Sequence, residues 1–227
     1  MLTGRLIGTG RTADVYEAGA GWVLRRDREV VGDAAAEGAV MEHVRAHGYP
    51  VPRVRPAGPV TPETDPRRDL VMERLAGPTM LRACLEGALT PEEAGGTLAR
   101  LLRLLHRVPA YRSADPGVRV LHLDLHPDNV ILTADGPRVI DWSTAEEGDP
   151  GLDWGMSAVI LAQVAAGGGP MGDPAGAMLG ALLADPSGLT PGGLAEALRR
   201  RAANPTMSRD EVAALPAAEA LIRLCLG

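Results

Sequence analysis

One short polar stretch in the middle of the chain constrains its fold and chemistry more than any other feature. Residues 121–132 read LHLDLHPDNVIL, and VID follows at residues 139–141. Asp124 and Asn129 are five positions apart on a predicted tight loop, and Asp141 follows a predicted hairpin of strands 130–132 and 139–140. A hairpin of about this length would return Asp141 to the side of Asn129. The sequence therefore predicts that three oxygen-bearing side chains come from one local piece of chain.

These side chains suit phosphoryl transfer to a hydroxyl group. That reaction needs one carboxylate to accept the proton of the attacking alcohol, and hard oxygen ligands to hold the Mg²⁺ that bridges the nucleotide phosphates. The alternative is a polar loop that merely precedes a hairpin. Two acids, an amide and two histidines seldom coincide at these spacings, so we favour the catalytic interpretation.

Composition narrows the class of partner. The 227 residues carry a net charge of −6, and only 3% of them are aromatic, with no Phe. No long Lys/Arg run appears, and aromatic platforms for stacking bases are scarce, so we expect neither a nucleic-acid nor an anionic-membrane partner. A cationic or neutral small molecule fits this charge better.

The same sequence indicates a cytoplasmic protein. Cys84 and Cys225 form no C-x-x-C pair, which is typical of a reduced compartment. The first residues lack the apolar segment of a signal peptide, and the most apolar stretch, residues 156–166, is too short to span a bilayer.

The order of predicted elements changes character near Gly77. Before it, the sequence predicts strands with one helix, which Asp33 would cap; after it, Thr90 begins a capping box and most segments are helical. We predict an N-terminal lobe over residues 1–75, a hinge near 72–77 and a helical lobe over 76–227. The predicted strands are 2–8, 14–18, 21–26 and 70–72, the first predicted helix is 34–46, and a polar loop covers about 56–68.

The pattern H-x-D-x-x-x-x-N followed by I-D-W resembles the catalytic loop and metal-binding aspartate of the aminoglycoside phosphotransferase and choline kinase families, relatives of the protein kinases. Leu123 departs from the family pattern, which has glycine there. The resemblance implies that Asp124 is the catalytic base, that Asn129 and Asp141 bind Mg²⁺, and that His122 stabilises the loop. It also implies an α+β, bilobal protein-kinase-like fold with a small β-rich N-lobe and a larger, mostly helical C-lobe.

Residues 8–16, GTGRTADVY, resemble the glycine-rich loop of the same families. The resemblance implies that Gly8, Gly10 and Thr12 lie at the nucleotide phosphates. The segment also matches a G-x-G-x-x-A dinucleotide fingerprint, but that turn should open a helix. Residues 15–19 are strand-like instead, which disfavours a Rossmann oxidoreductase.

Two further segments resemble nucleotide-binding parts of the family. Arg25 lies where the family has a lysine that touches the α- and β-phosphates, and Glu37 matches the glutamate that pairs with this cation; a surface ion pair without a role is the alternative. Residues 70–77, LVMERLAG, resemble the interlobe hinge. Met72 would then line the adenine pocket, and backbone groups from Glu73 to Leu75 would bind the adenine edge of ATP, with GTP as an alternative nucleotide.

The acceptor is less constrained than the nucleotide. Four acidic residues after Asp141 could offer an anionic rim to a cationic acceptor, although an ordinary solvated acidic loop is the alternative. One of them, Asp153, is expected to cap a helix or brace the catalytic loop, and His106 is expected to be structural. The four are Glu146, Glu147, Asp149 and Asp153.

The sequence thus predicts an ATP-dependent phosphotransferase that moves the γ-phosphate to a hydroxyl of a small molecule, such as an aminoglycoside or another amino or sugar alcohol. The alternative is a catalytically weak or inactive nucleotide-binding regulator. Arg25 in the lysine position and Leu123 in the glycine position are the reasons for keeping that alternative open.

Overall fold

The computed structural model describes residues 4–10, 12–29, 33–55 and 65–227, and these form two compact units. The first contains the described residues up to Gly77 together with Ile131–Ala145. The second contains Pro78–Val130 and Glu146–Gly227. The start of the first predicted strand, residues 2–3, and most of the predicted polar loop, residues 56–64, lie outside the described part of the chain.

The first unit is built on a four-stranded antiparallel sheet in the order β1-β2-β3-β4. The buried residues of this sheet lie mainly in β3 and at the start of β4. A tight turn joins β2 to β3, and its Gly19 and Gly21 have φ values of 95° and 76°. In this left-handed region of φ, glycine has a lower conformational energy than residues that carry a Cβ atom. The strands are β1 Leu6–Thr9, β2 Ala13–Glu17, β3 Trp22–Asp27 and β4 Asp69–Glu73.

Helix α1, Ala34–Ala46, packs on this sheet and has the predicted boundaries. The carboxylate of Asp33 caps it by accepting hydrogen bonds from the backbone N–H groups of Ala35 and Ala36, each at 3.1 Å. Met41 and Val44 are fully buried on its inner face. A local cap and a helical repeat of apolar residues were therefore enough to predict this element.

The chain returns to the first unit at residues 131–145, which begin in a hairpin of two strands, β6, Val130–Thr133, and β7, Gly136–Val139. The second strand begins at residue 136, three residues earlier than predicted, because Gly136 has a φ of 108° and turns the chain immediately. The Val139 N–H donates to the Pro50 carbonyl at 2.8 Å, and the Trp142 ring meets Tyr49 edge-on at 5.6 Å. These contacts fix the hairpin to the segment that follows α1.

The second unit is helical apart from a short antiparallel pair, β5 with β8. Thr90 and Glu93 form the predicted capping box at the start of α3, with the Glu93 N–H 3.2 Å from Thr90 Oγ1 and the Thr90 N–H 2.9 Å from Glu93 Oε2. Strand β8 was not predicted, because its sequence, EEG, has no apolar alternation. The elements are α2 Met80–Leu85, α3 Pro91–Leu105, β5 Arg119–Leu121, β8 Glu146–Gly148, α4 Pro150–Ala166, α5 Gly172–Leu182, α6 Pro191–Ala203, α7 Arg209–Ala213 and α8 Leu215–Leu226.

Helix α4 is the centre of this unit and packs against α5, α6 and α8. It is apolar on most of its faces, as expected of a helix that is surrounded by others. Gly155 and Gly193 allow α4 and α6 to approach closely: a Cβ at Gly155 would lie 2.8 Å from the Gly193 carbonyl oxygen. Within the described ranges, no helix is both long and apolar enough to cross a membrane.

Candidate active site

The loop after β5 holds Asp124 and Asn129 together in the second unit. The Asn129 amide Nδ2 donates to the Asp124 backbone carbonyl at 2.9 Å and lies 3.2 Å from Asp124 Oδ2. Residues 127–129 form a short 3₁₀ turn, which His126 caps by accepting from the Asp128 N–H at 3.3 Å. This turn is what brings two side chains five positions apart into contact.

Asp153 braces the same loop from α4. It is fully buried, and its two carboxylate oxygens accept hydrogen bonds from the backbone N–H groups of His122, at 3.1 Å, and Leu123, at 2.7 Å. His106 Nε2 lies 3.0 Å from the same carboxylate. Burial alone would raise the pKa of Asp153, but the hydrogen bond with His106 and the charges of His106 and His122 hold it below its ordinary value. The expected bracing role of Asp153 and the structural role of His106 agree with these contacts.

The side chain of Asp124 is held ionised and partly accessible. It is 33% exposed, and His126 Nε2 lies 3.6 Å from its Oδ2. Burial by itself raises the pKa of Asp124, but the hydrogen bond and charge of His126, with the charges of His122 and Arg201, keep that pKa below its usual range. The Oδ1 atom accepts no hydrogen bond from the described residues, so it is the oxygen that can face a substrate hydroxyl.

The backbone at Leu123 explains why the family pattern has glycine there. Leu123 has a φ of 63°, in the left-handed region, and Asp141, with a φ of 62°, is the other non-glycine residue with positive φ in the described chain. Such conformations cost a non-glycine residue about 1–3 kcal/mol and cluster at functional sites. Both outliers occur at residues singled out from the sequence.

Asp141 lies in the first unit, where it joins Arg25 and Glu37. The guanidinium of Arg25 makes a bidentate ion pair with Glu37, and its Nη1 is 3.8 Å from Asp141 Oδ1. Glu37 also accepts a hydrogen bond from the Trp142 N–H at 3.2 Å. The structure thus brings three of the predicted site residues into one cluster, and the ion pair of Arg25 with Glu37 is buried and not on the surface.

Arg25 is surrounded by acidic groups. Besides Glu37 and Asp141, its Nε lies 3.4 Å from the carboxylate of Asp27. Burial disfavours the charge of Arg25, but the charge and hydrogen bonds of Glu37 outweigh it and raise its pKa. The planar guanidinium of Arg25 therefore binds carboxylates in this structure, as the bidentate geometry of arginine favours.

The glycine-rich segment is the turn between β1 and β2. Gly8 is half-buried near the end of β1, Gly10 is exposed, and the Gly10 N–H donates to the Ala13 carbonyl at 2.8 Å, which closes the turn. Because β2 is a strand and not a helix, this turn is not a dinucleotide fingerprint. Thr12 is exposed at its far side.

Arg28 holds this turn in place and was not found from the sequence. Its Nη2 donates to the Gly10 carbonyl at 2.6 Å and to Asp14 Oδ1 at 3.1 Å, and its backbone N–H donates to the Thr12 carbonyl at 2.9 Å. An arginine just after a strand carries no local signal of such a role. Only the register of β2 against β3, which pairs Asp14 with Arg26, brings it near the turn.

The predicted hinge residues lie at the end of β4. Met72 is bridged to Val54, and the Glu73 N–H donates to the Arg53 carbonyl at 2.8 Å. Leu75 follows the strand, is half-buried, and makes no backbone hydrogen bond with the described residues. Its backbone groups are therefore able to bind a ligand edge.

Asn129, in the second unit, and Asp141, in the first, each carry an oxygen atom of the kind that Mg²⁺ binds. The Nδ2 group of Asn129 donates to Asp124, so the amide oxygen of Asn129 remains available as a ligand. The side chain of Asp141 is 47% exposed. Amide and carboxylate oxygens are hard ligands of the kind Mg²⁺ prefers, and this ion is commonly held by one or two protein groups together with phosphates. The described residues contain no group of three or more His, Cys, Asp or Glu side chains that could hold a metal ion by themselves.

Fold and site together define a phosphotransferase of the protein-kinase-like class. A family model described as a phosphotransferase enzyme family matches residues 3–119 and 112–175, which together span 173 of the 227 residues. The chain belongs to this family, the aminoglycoside phosphotransferase family.

Solved structures of this class share the fold over nearly the whole chain. A thermostable mutant of aminoglycoside phosphotransferase APH(4)-Ia, a ternary complex with ADP and hygromycin B, is 15% identical, with a TM-score of 0.56, and the match covers 98% of this chain and 94% of that one. A choline/ethanolamine kinase family protein from Mesorhizobium loti is 17% identical, with a TM-score of 0.50, covering 98% and 86%. At such identities the likeness concerns the fold alone.

The curated relatives match over a short segment. Thiamine kinases of Salmonella paratyphi B and Salmonella newport are each 52% identical over 33 residues. That segment is 14% of this chain and 12% of each relative, so the match spans about an eighth of their length. It carries no argument about the acceptor.

Proposed function

We propose that this protein transfers the γ-phosphate of ATP to a hydroxyl group of a small molecule, with Asp124 as the catalytic base. The observation that carries the proposal is the state of that carboxylate: it is partly accessible, its pKa is lowered, and Asn129 and His126 fix its Oδ2 atom. A base for this reaction must be ionised and oriented before the acceptor arrives.

The proposed step is a direct displacement at phosphorus. The oxygen of the acceptor hydroxyl forms a bond to the γ-phosphorus, while the bond from that phosphorus to the β–γ bridging oxygen breaks and ADP leaves. The hydroxyl proton passes to the carboxylate of Asp124. Most of the catalysis is positioning and charge stabilisation, because phosphoryl transfer requires little covalent chemistry from the protein.

The nucleotide would be bound mainly by residues of the first unit. Gly8, at the end of β1, and the exposed residues Gly10 and Thr12 would lie at the phosphates, because glycine allows the backbone to approach them closely. The unbonded backbone groups at Leu75, next to Met72 and Glu73, support the binding of an adenine edge. GTP is the alternative nucleotide for the same site.

Asn129 and Asp141 would hold the magnesium ion, which when bound neutralises charge on the nucleotide phosphates. Arg25 and Glu37 would hold Asp141 in place, since Arg25 Nη1 lies 3.8 Å from Asp141 Oδ1 and binds Glu37 with both arms of its fork. The contact of Arg25 with Asp141 supports a role for this arginine close to the metal as well as to phosphate.

The proposal is tested by Asp124→Asn, with Asp128→Asn as the matched control. Both replacements remove one carboxylate from the same loop, but Asp128 is exposed. ADP release from MgATP is measured over a panel of hydroxyl compounds that includes hygromycin B, choline, thiamine, homoserine and sugar acids. We expect Asp124→Asn to lower transfer by about 10²–10⁴-fold with ATP affinity unchanged, and Asp128→Asn to match the wild type.

Undiminished transfer by Asp124→Asn would remove this residue from the role of base. A wild-type protein that binds ATP tightly and transfers phosphate to no member of the panel would instead favour a nucleotide-binding regulator.

A further inference from the structure

Three carboxylates of the first unit share the single positive charge of Arg25. Glu37 accepts from both Nη groups, Asp141 Oδ1 lies 3.8 Å from Nη1, and Asp27 Oδ1 lies 3.4 Å from Nε. Within the described ranges, no other cationic side chain forms an ion pair with any of these three acids. One positive and three negative groups leave this cluster with a formal charge of −2.

Asp27 is the least engaged of the three acids. Glu37 also accepts from the Trp142 N–H, and Asp141 accepts from Ser143 Oγ at 2.8 Å. The carboxylate of Asp27 is 17% exposed, and its contact with Arg25 is an ion pair and not a hydrogen bond. Its negative charge is therefore only partly offset by the guanidinium.

The Nε group of Arg25 is the second sign that a ligand belongs here. Arg25 is about nine-tenths buried, and its Nε has no hydrogen-bond acceptor among the described residues. Buried N–H donors in folded proteins nearly always have an acceptor, which can be an oxygen of a ligand. A phosphate oxygen would satisfy this donor, and it would then lie next to the carboxylate of Asp27.

Asp27 also lies next to the turn to which the phosphates are assigned. Residues two apart in a strand project from the same face, which places Asp27 beside Arg25. Asp27 is the register partner of Ala13, the residue with which β2 begins after the turn. The residue that follows it, Arg28, binds the Gly10 carbonyl of the turn at 2.6 Å.

We propose that Asp27 makes nucleotide binding conditional on a divalent cation, so that the protein accepts the metal complex of a nucleotide and rejects the metal-free form. The inference rests on the proposed function and specifies the form of nucleotide that the same site takes. The phosphates of a metal-free nucleotide are repelled by the excess negative charge, and a cation bound to them removes that repulsion. Because Asp27 is mostly buried, solvent ions screen its charge less than that of a surface carboxylate.

The experiment measures binding of ADP to the full-length protein by titration calorimetry, once with EDTA and once with excess Mg²⁺. The variants are Asp27→Asn, which removes the charge but keeps the size of the side chain, and Asp27→Glu, which keeps the charge. Asp135→Asn is the matched control, since it removes one carboxylate of the same unit at an exposed position in the β6–β7 turn. Transfer from MgATP is measured in parallel with the panel of hydroxyl compounds.

We expect the wild type to bind ADP at least about 10-fold more weakly in EDTA than with Mg²⁺. Asp27→Asn should strengthen binding in EDTA by about 10-fold and change binding with Mg²⁺ by less than about threefold. Asp27→Glu and Asp135→Asn should keep the metal dependence of the wild type. If Asp27 only held Arg25 in place, Asp27→Asn would instead weaken ADP binding equally under both conditions.

The inference is overturned if Asp27→Asn binds ADP in EDTA no better than the wild type does, or if the wild type binds equally well with and without Mg²⁺. Either result together with phosphate transfer by the wild type would leave the proposed function intact. Conversely, metal dependence that follows the charge of Asp27, without transfer to any member of the panel, would count against the phosphotransfer alone.

Discussion

Leu123 shows how a single backbone angle is maintained by its surroundings. Its φ of 63° is unfavourable for leucine, yet its side chain is only 5% exposed and its N–H is bonded to the buried carboxylate of Asp153. Burying a leucine side chain contributes about 1.5–3 kcal/mol, which offsets a left-handed cost of about 1–2 kcal/mol. The residue therefore keeps the backbone path of glycine while filling the core behind the loop.

This balance predicts opposite effects for two replacements of Leu123. Leu123→Gly removes the apolar side chain but suits the backbone, so we expect a stability loss of about 1–2 kcal/mol with turnover nearly unchanged. Leu123→Val keeps most of the apolar surface but places a β-branched residue at positive φ, and we expect turnover to fall about 10-fold or more. Chemical denaturation and ADP release are the two measurements. Equal turnover in the two variants would contradict the argument that the backbone path matters more than the side chain.

The residues that could be predicted from the sequence are those whose role is local. Asp33 and Thr90 cap helices that begin immediately after them, and Asp124 meets Asn129 across a five-residue turn. The role of Arg28 could not be predicted, because it depends on the register of β2 against β3. For such residues the sequence spacing contains no information about the partner.

At the scale of elements, the β1–β2 turn depends on a side chain that follows β3. The Gly10 carbonyl would otherwise point into solvent, and Arg28 fixes it while also binding Asp14 in β2. The hydrogen bond with Arg28 is the main reason that the pKa of Asp14 is below its ordinary value. The side chain of Arg28 thus joins the turn to β2 and fixes the orientation of the turn. The sequence of the turn alone does not determine that orientation.

If this turn binds phosphates, as proposed, Arg28→Ala should weaken nucleotide binding. We expect the dissociation constant of MgATP to rise about 5- to 10-fold, because the loop must then be ordered by the ligand itself, while kcat at saturating MgATP stays within about twofold. Arg67→Ala is the control, since it removes an exposed arginine whose side chain pairs with Asp65 away from the turn. Titration calorimetry measures both variants, and an unchanged affinity in Arg28→Ala would show that the turn needs no bracing.

For the whole molecule, the candidate functions divide between the two units. The first contains the glycine turn, the Arg25–Glu37–Asp141 cluster and the end of β4; the second contains Asp124 and Asn129. The fold class was predictable because each unit has its own periodicity, short strands before Gly77 and helical stripes after it. The hairpin 131–145 could not be assigned to the first unit from sequence, since that depends on its contacts with Tyr49 and Pro50.

The helices beyond the family match are part of the core of the second unit and are not an appendage. A Cβ at Gly193 would lie 2.2 Å from the backbone carbonyl of Gly151 in α4, and backbone atoms cannot yield as a flexible side chain would. The adjacent Gly192 lies on the same turn of α6 but has nothing within 4 Å. The distance between α4 and α6 should therefore affect the stability of the second unit.

We therefore expect Gly193→Ala to lower the free energy of unfolding by about 1–3 kcal/mol, the usual range for overpacking, and the melting temperature by several degrees. Gly192→Ala should leave both unchanged or slightly raised, because alanine favours a helix where there is space. If the two alanine variants melt at the same temperature, the close approach of α4 and α6 does not hold.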